Sequence, residues 1–324
     1  MTVLLIGGAG FVGKTLVEFL ARNNYKIIIL SRNAQRGNKL KHLGDVGQIT
    51  SISGDATDYS LLNELISRCN IVINLVGILS QTKKQSFKKI HSELPEKIAS
   101  ICAKNNIRKL IHFSSLGVSL NSDSIYSKTK AEGEKRLLKN FKKAIIFRPS
   151  IIFGPGDGFF CRFAQMAMFS PALPLIGGGK NKFQPVYIKD LVKAVVRSLT
   201  LKEVEGKIFE IGGPKIYTFK ELLELVLLSI ERKRPLVFIP FSFLFLPVKI
   251  LDFLPNPPLT SDQLRLLKYD NILSRKYKSN SEIGIPSIRT FDQEVKKYCF
   301  MWKEGGQFST EKYMPNKNLK NKTS

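Results

Sequence analysis

Residues 3–14 read VLLIGGAGFVGK, an apolar tetrad followed by Gly7, Gly10 and Gly13 at three-residue spacing. The tetrad is short and does not alternate with polar residues, as in a strand covered on both faces. A helix-like stretch, Phe11–Asn23, begins inside the glycines. Residues without Cβ permit a tight turn and a close approach of the backbone to a ligand. The helix opening there presents unpaired N–H groups and a positive dipole end. Strand, glycine turn and helix in that order are what a pyrophosphate cradle requires. Gly7, Gly10, Phe11, Val12, Gly13 and Lys14 are therefore the first candidate cofactor-binding residues.

Outward from this stretch the pattern repeats. Thr2–Ile6, Lys26–Leu30, Ile49–Ser53, Ile71–Val76, Lys109–Phe113 and Ala144–Phe147 read as strands. Phe11–Asn23, Tyr59–Ser67, Ser86–Asn106 and Ser124–Asn140 have helical length and polarity. Such alternation predicts an α/β fold, a doubly wound parallel sheet of Rossmann type with right-handed crossovers. After Pro149 the texture changes, with turn-rich GPGDG at 154–158 and PLIGGGK at 174–180. Strands at Val186–Ile188 and Ile208–Ile211 and helices at Asp190–Leu199 and Phe219–Glu231 follow. The expected division is a dinucleotide-binding domain over 1–153, joined by returning elements near 183–214, and a smaller C-terminal α/β lobe over 154–304. Residues 305–324, polar and aperiodic, are expected to form a disordered tail.

Composition bounds the function. A chain of 324 residues, 43% hydrophobic and 24% charged, has a globular balance and can bury a core without staples. The net charge is +25, from 51 Lys and Arg against 26 Asp and Glu. Residues 1–150 hold 24 basic and 10 acidic side chains and residues 151–324 hold 27 and 16, so the excess is spread. A nucleic-acid face is a local stripe, so no nucleic-acid partner is expected, whereas attraction to acidic membrane surfaces stays open. Cys69, Cys102, Cys161 and Cys299 lie far apart and the three histidines lack metal-ligand spacing. Reduced thiols, no metal and a cytoplasmic location follow as expectations. The opening MTVLLIGGAG lacks a signal-peptide n-region and enters a strand at once.

The ends of successive strands supply the remaining candidates. An NAD site places Asp or Glu after the second strand to hold the ribose 2′-hydroxyl. Here IIILSRN puts Ser31 and Arg32 at that corner. Arg32 and Lys14 can pair with a 2′-phosphate, so NADP(H) is favoured over NAD(H). The competing reading is two ordinary solvated cations in a lysine-rich chain. Asp55 in GDATD follows the third strand, where a carboxylate can accept an adenine amino proton. Val76 and Gly77 close the fourth strand and Pro149 follows the last strand of this half. In SIYSKTKAEGEK, Tyr126 and Lys130 stand four residues apart and share one helix face. A neighbouring ammonium lowers a phenol pKa, which would suit Tyr126 to acid/base work, with Lys130 also reaching the nicotinamide ribose.

These motifs in this order resemble the short-chain dehydrogenase/reductase superfamily, and FRPSIIFGPGD and VYIKDLVKAV resemble its extended, epimerase-like branch. That resemblance implies a catalytic Ser or Thr after the fifth strand. Aligning IHFSSLGV places Leu116 in that slot, with Ser114 and Ser115 just before it, and Ser114 is the candidate retained beside Tyr126 and Lys130. A narrower resemblance adds FEIGGPKIYTFKELLELV and PNPPLTSDQLRLLKYDN. With HFSSLGV, YSKTKAEGEK and FRPSIIFGPGDGFF, these look like the respiratory complex I accessory-subunit family of the alpha subcomplex subunit nine type and its bacterial relatives. It implies tightly held NADPH in a mainly structural or assembly role, with complex I subunits or quinone-synthesis proteins as partners. It further implies a place on the inner face of the respiratory membrane. The alternative is an active NADP-dependent oxidoreductase on an apolar carbonyl or quinone precursor, and more distantly a nucleotide-sugar epimerase or dehydratase.

One segment stands apart. Residues 236–254, LVFIPFSFLFLPVKILDFL, are apolar but interrupted by Pro240 and Pro247 and carry Lys249 and Asp252. A spanning helix needs ~20 mostly apolar residues, so a span is not expected. A core helix of the second lobe and a face docking on a bilayer or membrane subunit both remain open.

Overall fold

The computed structural model describes residues 1–303 except 83, 253, 255, 256 and 258, together with the backbone but not the side chain of residue 34. Residues 305–324 lie outside this set. Six strands of the first half form in sequence: β1 (Thr2–Ile6), β2 (Lys26–Ser31), β3 (Ile49–Ser53), β4 (Ile71–Asn74), β5 (Lys109–Phe113) and β6 (Ile145–Pro149). Two later strands, β7 (Ile208–Ile211) and β8 (Lys278–Ser279), extend the same sheet. Its order is β8-β7-β6-β5-β4-β1-β2-β3 and every pairing is parallel. Strand order reverses beside β1, so the carboxyl ends of β1, β2 and β4 border the crevice where ligands bind in such sheets.

The strands bury both faces, as their unbroken apolar runs require. Val3 and Leu5 of β1 join one core with Leu16, Val17 and Leu20 of helix α1 (Phe11–Arg22). Leu4 and Ile6 join a second core with helices α2 (Tyr59–Ser67) and α3 (Leu94–Lys104). Helix α4 (Ile125–Asn140) adds Leu137 to that second side. The later part of the chain carries α5 (Phe160–Phe169), α6 (Ile188–Ser198), α7 (Phe219–Ser229), α8 (Phe241–Leu251) and α9 (Ser261–Leu266). Its strand Leu173–Ile176 pairs in parallel with Leu236–Ile239. Helix α6 turns back onto the α1 side through Leu191, Val192 and Val195.

Local chemistry moved several expected boundaries. β4 stops at Asn74 rather than Val76, because the Asn74 side chain accepts the Val76 N–H at 3.0 Å and takes it out of the ladder. The helix expected over 86–106 opens as a wide turn, Lys88–Glu93, before α3 begins. Pro95 has no N–H to give the His91 carbonyl, so the normal bond at that place is impossible. The freed carbonyl faces α4, where a Cβ on Gly133 would stand 1.8 Å from it. Strand β8 was not visible in the sequence. It is held through a buried ion cluster: Arg148 of β6 grips Glu134 of α4 at 2.9 and 2.5 Å. Arg148 also lies 4.0 Å from Glu210 of β7, whose carboxylate accepts the N–H and hydroxyl of Ser274 at 2.7 and 2.8 Å.

Candidate dinucleotide-binding site

The glycine turn is built for close approach. Gly7 has φ +80°, a left-handed conformation that favours glycine. Its N–H reaches Leu30 O at 2.9 Å, and Gly10 N–H closes the turn on Gly7 O at 3.1 Å. A Cβ on Gly13 would meet Gly8 O at 2.1 Å, so α1 rests directly on the turn. Gly8, which the three-residue spacing passes over, is thus as constrained as its neighbours. Helix α1 starts at Gly10 with no side-chain cap and no acidic residue in its first turn. A dipole end left open above a turn without Cβ atoms fits a pyrophosphate. Because a dinucleotide carries that group, these residues are the ones that would hold it.

The rim residues fall as follows. Arg32 and Lys14 are both exposed. Arg32 borders a cleft with Ile78, Ser80, Thr82 and Lys84. Asp55 is exposed, and its Oδ1 accepts the Thr57 N–H at 2.8 Å and hydroxyl at 2.9 Å. Partial burial pushes its carboxyl up, but the Thr57 bonds and the Arg32 and Lys89 cations outweigh that and hold it below its ordinary value. Gly77 and Lys130 are brought together: a Cβ on Gly77 would lie 3.3 Å from Lys130 Nζ. Pro149 ends β6 with its carbonyl accepting the Leu116 N–H at 3.0 Å.

Tyr126 and Lys130 sit in the first turns of α4, and a residue far along the chain sets that start. The Asp262 carboxylate of α9 accepts the Ser124 hydroxyl at 2.7 Å and the N–H groups of Ile125 and Tyr126 at 2.8 and 3.0 Å. Ser124 Oγ accepts the Ser127 N–H at 3.2 Å. Lys130 is buried and donates to Phe113 O at 3.0 Å. Burial lowers its pKa to about 8, with Glu134 pulling the other way. The Tyr126 phenol is pushed above its ordinary value by burial; a hydrogen bond with Ser115 opposes this and the Asp262 charge adds to it. The expected depression by Lys130 does not appear; burial is the largest effect on the phenol. The hydroxyl beside the phenol is that of Ser115. Ser114 Oγ is buried without a hydrogen-bond partner among the described residues. Leu116 is buried and its carbonyl accepts Asn271 Nδ2 at 3.4 Å.

Two histidines complete the floor, and neither was singled out from sequence. His91 lies in the wide turn before α3, its ring 5.0 Å from that of Tyr126 and stacked on Phe87 at 5.2 Å. Its Nε2 accepts the Ile78 N–H at 3.2 Å, so the proton sits on Nδ1, which faces Thr129 Oγ1 at 3.3 Å. Burial, then the Lys130 and His112 charges, hold it neutral. His112 of β5 is fully buried, 3.1 Å from Asn74 Nδ2, and burial holds it far below its ordinary value. Isolated histidines without metal spacing carry no motif; only the wide turn, itself traceable to Pro95, hinted at one of them. Among the described residues no cluster of three or more His, Cys, Asp or Glu could hold a metal.

Residues 3–212, which span the cradle, the Tyr126–Lys130 pair and β1–β7, match the NAD dependent epimerase/dehydratase family. The chain belongs to that family. Within it, the chain is 31% identical over 282 residues to NADH dehydrogenase [ubiquinone] 1 alpha subcomplex subunit 9, mitochondrial, of Arabidopsis thaliana, covering 83% of this chain and 70% of that one. It is 28% identical over 222 residues to the decarboxylating sterol-4-alpha-carboxylate 3-dehydrogenase of Dictyostelium discoideum, covering 58% and 64%. The fold matches the dTDP-glucose 4,6-dehydratase of Bacillus anthracis with TM-score 0.71 at 20% identity, covering 93% and 96%. The family is NAD dependent, and the cradle is where an NAD(P) cofactor would be held.

Proposed function

We propose that this chain is an NADPH-holding accessory subunit of respiratory complex I, at the inner face of the membrane, in which the nucleotide serves the fold and assembly. The observation that carries the reading is the state of the acid/base pair. The Tyr126 phenol lies above its ordinary value rather than below it, Lys130 donates to a strand carbonyl, and a buried Leu116 stands where the family resemblance implies a hydroxyl. A ligand bound only to the native state stabilises it by mass action without any turnover. The likeness to subunit 9 proteins supports the complex I partner. Arg32 and Lys14, with no carboxylate ending β2, support the 2′-phosphate.

The test is mass spectrometry of nucleotide released from the purified chain, with calorimetry on Arg32→Glu. Stoichiometric NADP(H), and a preference over NAD(H) lost in the variant, are expected. An empty protein, or an affinity that Arg32→Glu leaves unchanged, overturns the cofactor assignment. Comigration with complex I on native gels tests the partner.

A second reading has an observation of its own. Ser115 lies near enough to the Tyr126 phenol to draw its pKa down, and the sterol dehydrogenase relative is named as an enzyme. In that reading the chain is an NADP-dependent oxidoreductase on an apolar carbonyl or a quinone precursor, with quinone-synthesis proteins as partners. The bound nicotinamide would supply the hydride chemistry. Tyr126 would hold the proton bound for the substrate oxygen, Ser115 would orient it, and Lys130 would face the ribose near Gly77. Turnover with lipid extracts that disappears in Tyr126→Phe would establish this reading over the structural one. The nucleotide-sugar reading stands third, favoured by family and fold and opposed by Leu116.

A further inference from the structure

The helix α8, FSFLFLPVKIL, is apolar around its whole circumference, with only Ser242 and Lys249 as polar side chains. A helix of that kind needs cover on every side. Among the described residues only one side is covered. Phe241, Leu244, Phe245 and Val248 pack on Ile176 and Leu264. On the opposite face Phe243 is 75% exposed, Leu246 71% and Ile250 64%. Their spacing of three and four residues draws them into one stripe. The strand that feeds the helix adds Phe238, 59% exposed. The core-helix reading of this segment fails on these values, since Val248 is the single buried residue of α8. No described helix is long and apolar enough to cross a membrane.

We infer that this face docks into the headgroup region of a membrane carrying anionic phospholipid, with α8 lying along the surface. The charge beside it selects that partner. Lys233, Lys249 and Lys268 are exposed around the segment, and Lys268 Nζ lies 4.7 Å from the Phe245 ring. Of the nearby acids, Glu224 pairs with Lys220 at 3.7 Å and Glu231 pairs with Lys303, while Asp252 accepts the Ser261 N–H at 3.0 Å. An apolar stripe edged by exposed lysines is the composition of an interfacial helix. Protein interfaces, by contrast, are depleted in lysine. Two prolines, Pro240 before the helix and Pro247 within it, keep the segment short and shallow. The inference stands on exposure and charge, independent of which nucleotide the site holds.

The test is cosedimentation of the full chain with vesicles of phosphatidylcholine alone or with about one third phosphatidylglycerol. Binding to the acidic vesicles is expected, at least about tenfold tighter than to neutral ones, weakening as salt rises. Phe243→Glu with Leu246→Glu and Ile250→Glu should abolish it while melting temperature and nucleotide affinity stay those of the wild type. Lys233→Gln and Lys249→Gln should each weaken it about fivefold. Absence of binding to acidic vesicles at low salt overturns the inference. So does undiminished binding by the triple variant, which would leave charge alone as the cause. A wild-type dimer that the triple variant dissolves, seen by sedimentation velocity without vesicles, would hand the face to a second copy instead.

Discussion

Replacing Asp262 by alanine strips three donors at once at the start of the helix that carries Tyr126 and Lys130. The Ser124 hydroxyl and the Ile125 and Tyr126 N–H groups all end on this one carboxylate, at 2.7, 2.8 and 3.0 Å. Hydrogen bonds to a charged group contribute ~1.5–3 kcal/mol each when buried. The negative charge also opposes the helix dipole, for ~0.3–1 kcal/mol or somewhat more. Water can reach part of this end, since Ile125 is exposed, and Ser124 keeps its own cap on Ser127. The net loss in Asp262→Ala should therefore be about 3–4 kcal/mol, among the larger single-residue effects. For a chain of this length that corresponds to a melting temperature lower by roughly 4–6 °C. Asp262→Asn keeps the shape and one acceptor oxygen and should lose about half as much. Urea unfolding followed by circular dichroism gives the stability, and calorimetry with NADPH gives the coupling. Nucleotide affinity should fall in Asp262→Ala but not in Val295→Ala, a core truncation on another element. If Asp262→Ala unfolds within about 1 kcal/mol of the wild type and binds nucleotide normally, the carboxylate does not organise this helix and the reasoning fails.

The remaining predictions concern the cradle and its buried lysine. Burial lowers the folded pKa of Lys130 to about 8 from 10.5. The unfolded chain therefore binds more protons than the folded one between those values, and the Lys130 contribution makes stability rise with pH across that window, by up to about 3 kcal/mol. In Lys130→Met that part of the pH dependence vanishes, which urea titrations of both proteins at several pH values from neutral to about 10 will show by difference. A Cβ on Gly13 would press to 2.1 Å on the Gly8 carbonyl, whereas on Gly10 it would meet only Gly7 O at 3.3 Å. Gly13→Ala should cost more than about 3 kcal/mol and abolish nucleotide binding, while Gly10→Ala should remain folded and bind more weakly. Equal behaviour of the two in melting and calorimetry would contradict the packing described for the turn.

What could be read in advance was local. The VLLI run, the glycines behind it and the alternation of apolar strands with amphipathic helices each depend on residues within one turn of one another. β1, β2, β3 and β5 begin and end within a residue of where their composition places them. Asn74 and Pro95 shifted neighbouring boundaries, and each did so by a side-chain property that acts a few residues away. The Tyr126–Lys130 spacing likewise followed from helical period alone. Its chemistry did not, because a pKa depends on burial and on what else enters the cavity. Proximity to Lys130 suggested a lowered phenol; enclosure raised it.

Sequence by itself therefore determined the doubly wound sheet and the pyrophosphate turn, since periodicity and the absence of Cβ act at short range. Contacts between distant residues decided the rest. Asp262 reaches α4 across more than a hundred residues, and Arg148 ties α4, β6 and β7 into one cluster. Ser115 rather than Ser114 acts on the phenol, and α8 turns one apolar face inward while the described residues leave the other exposed. Partner and exposure are properties of the folded arrangement, and no local pattern in the chain encodes them.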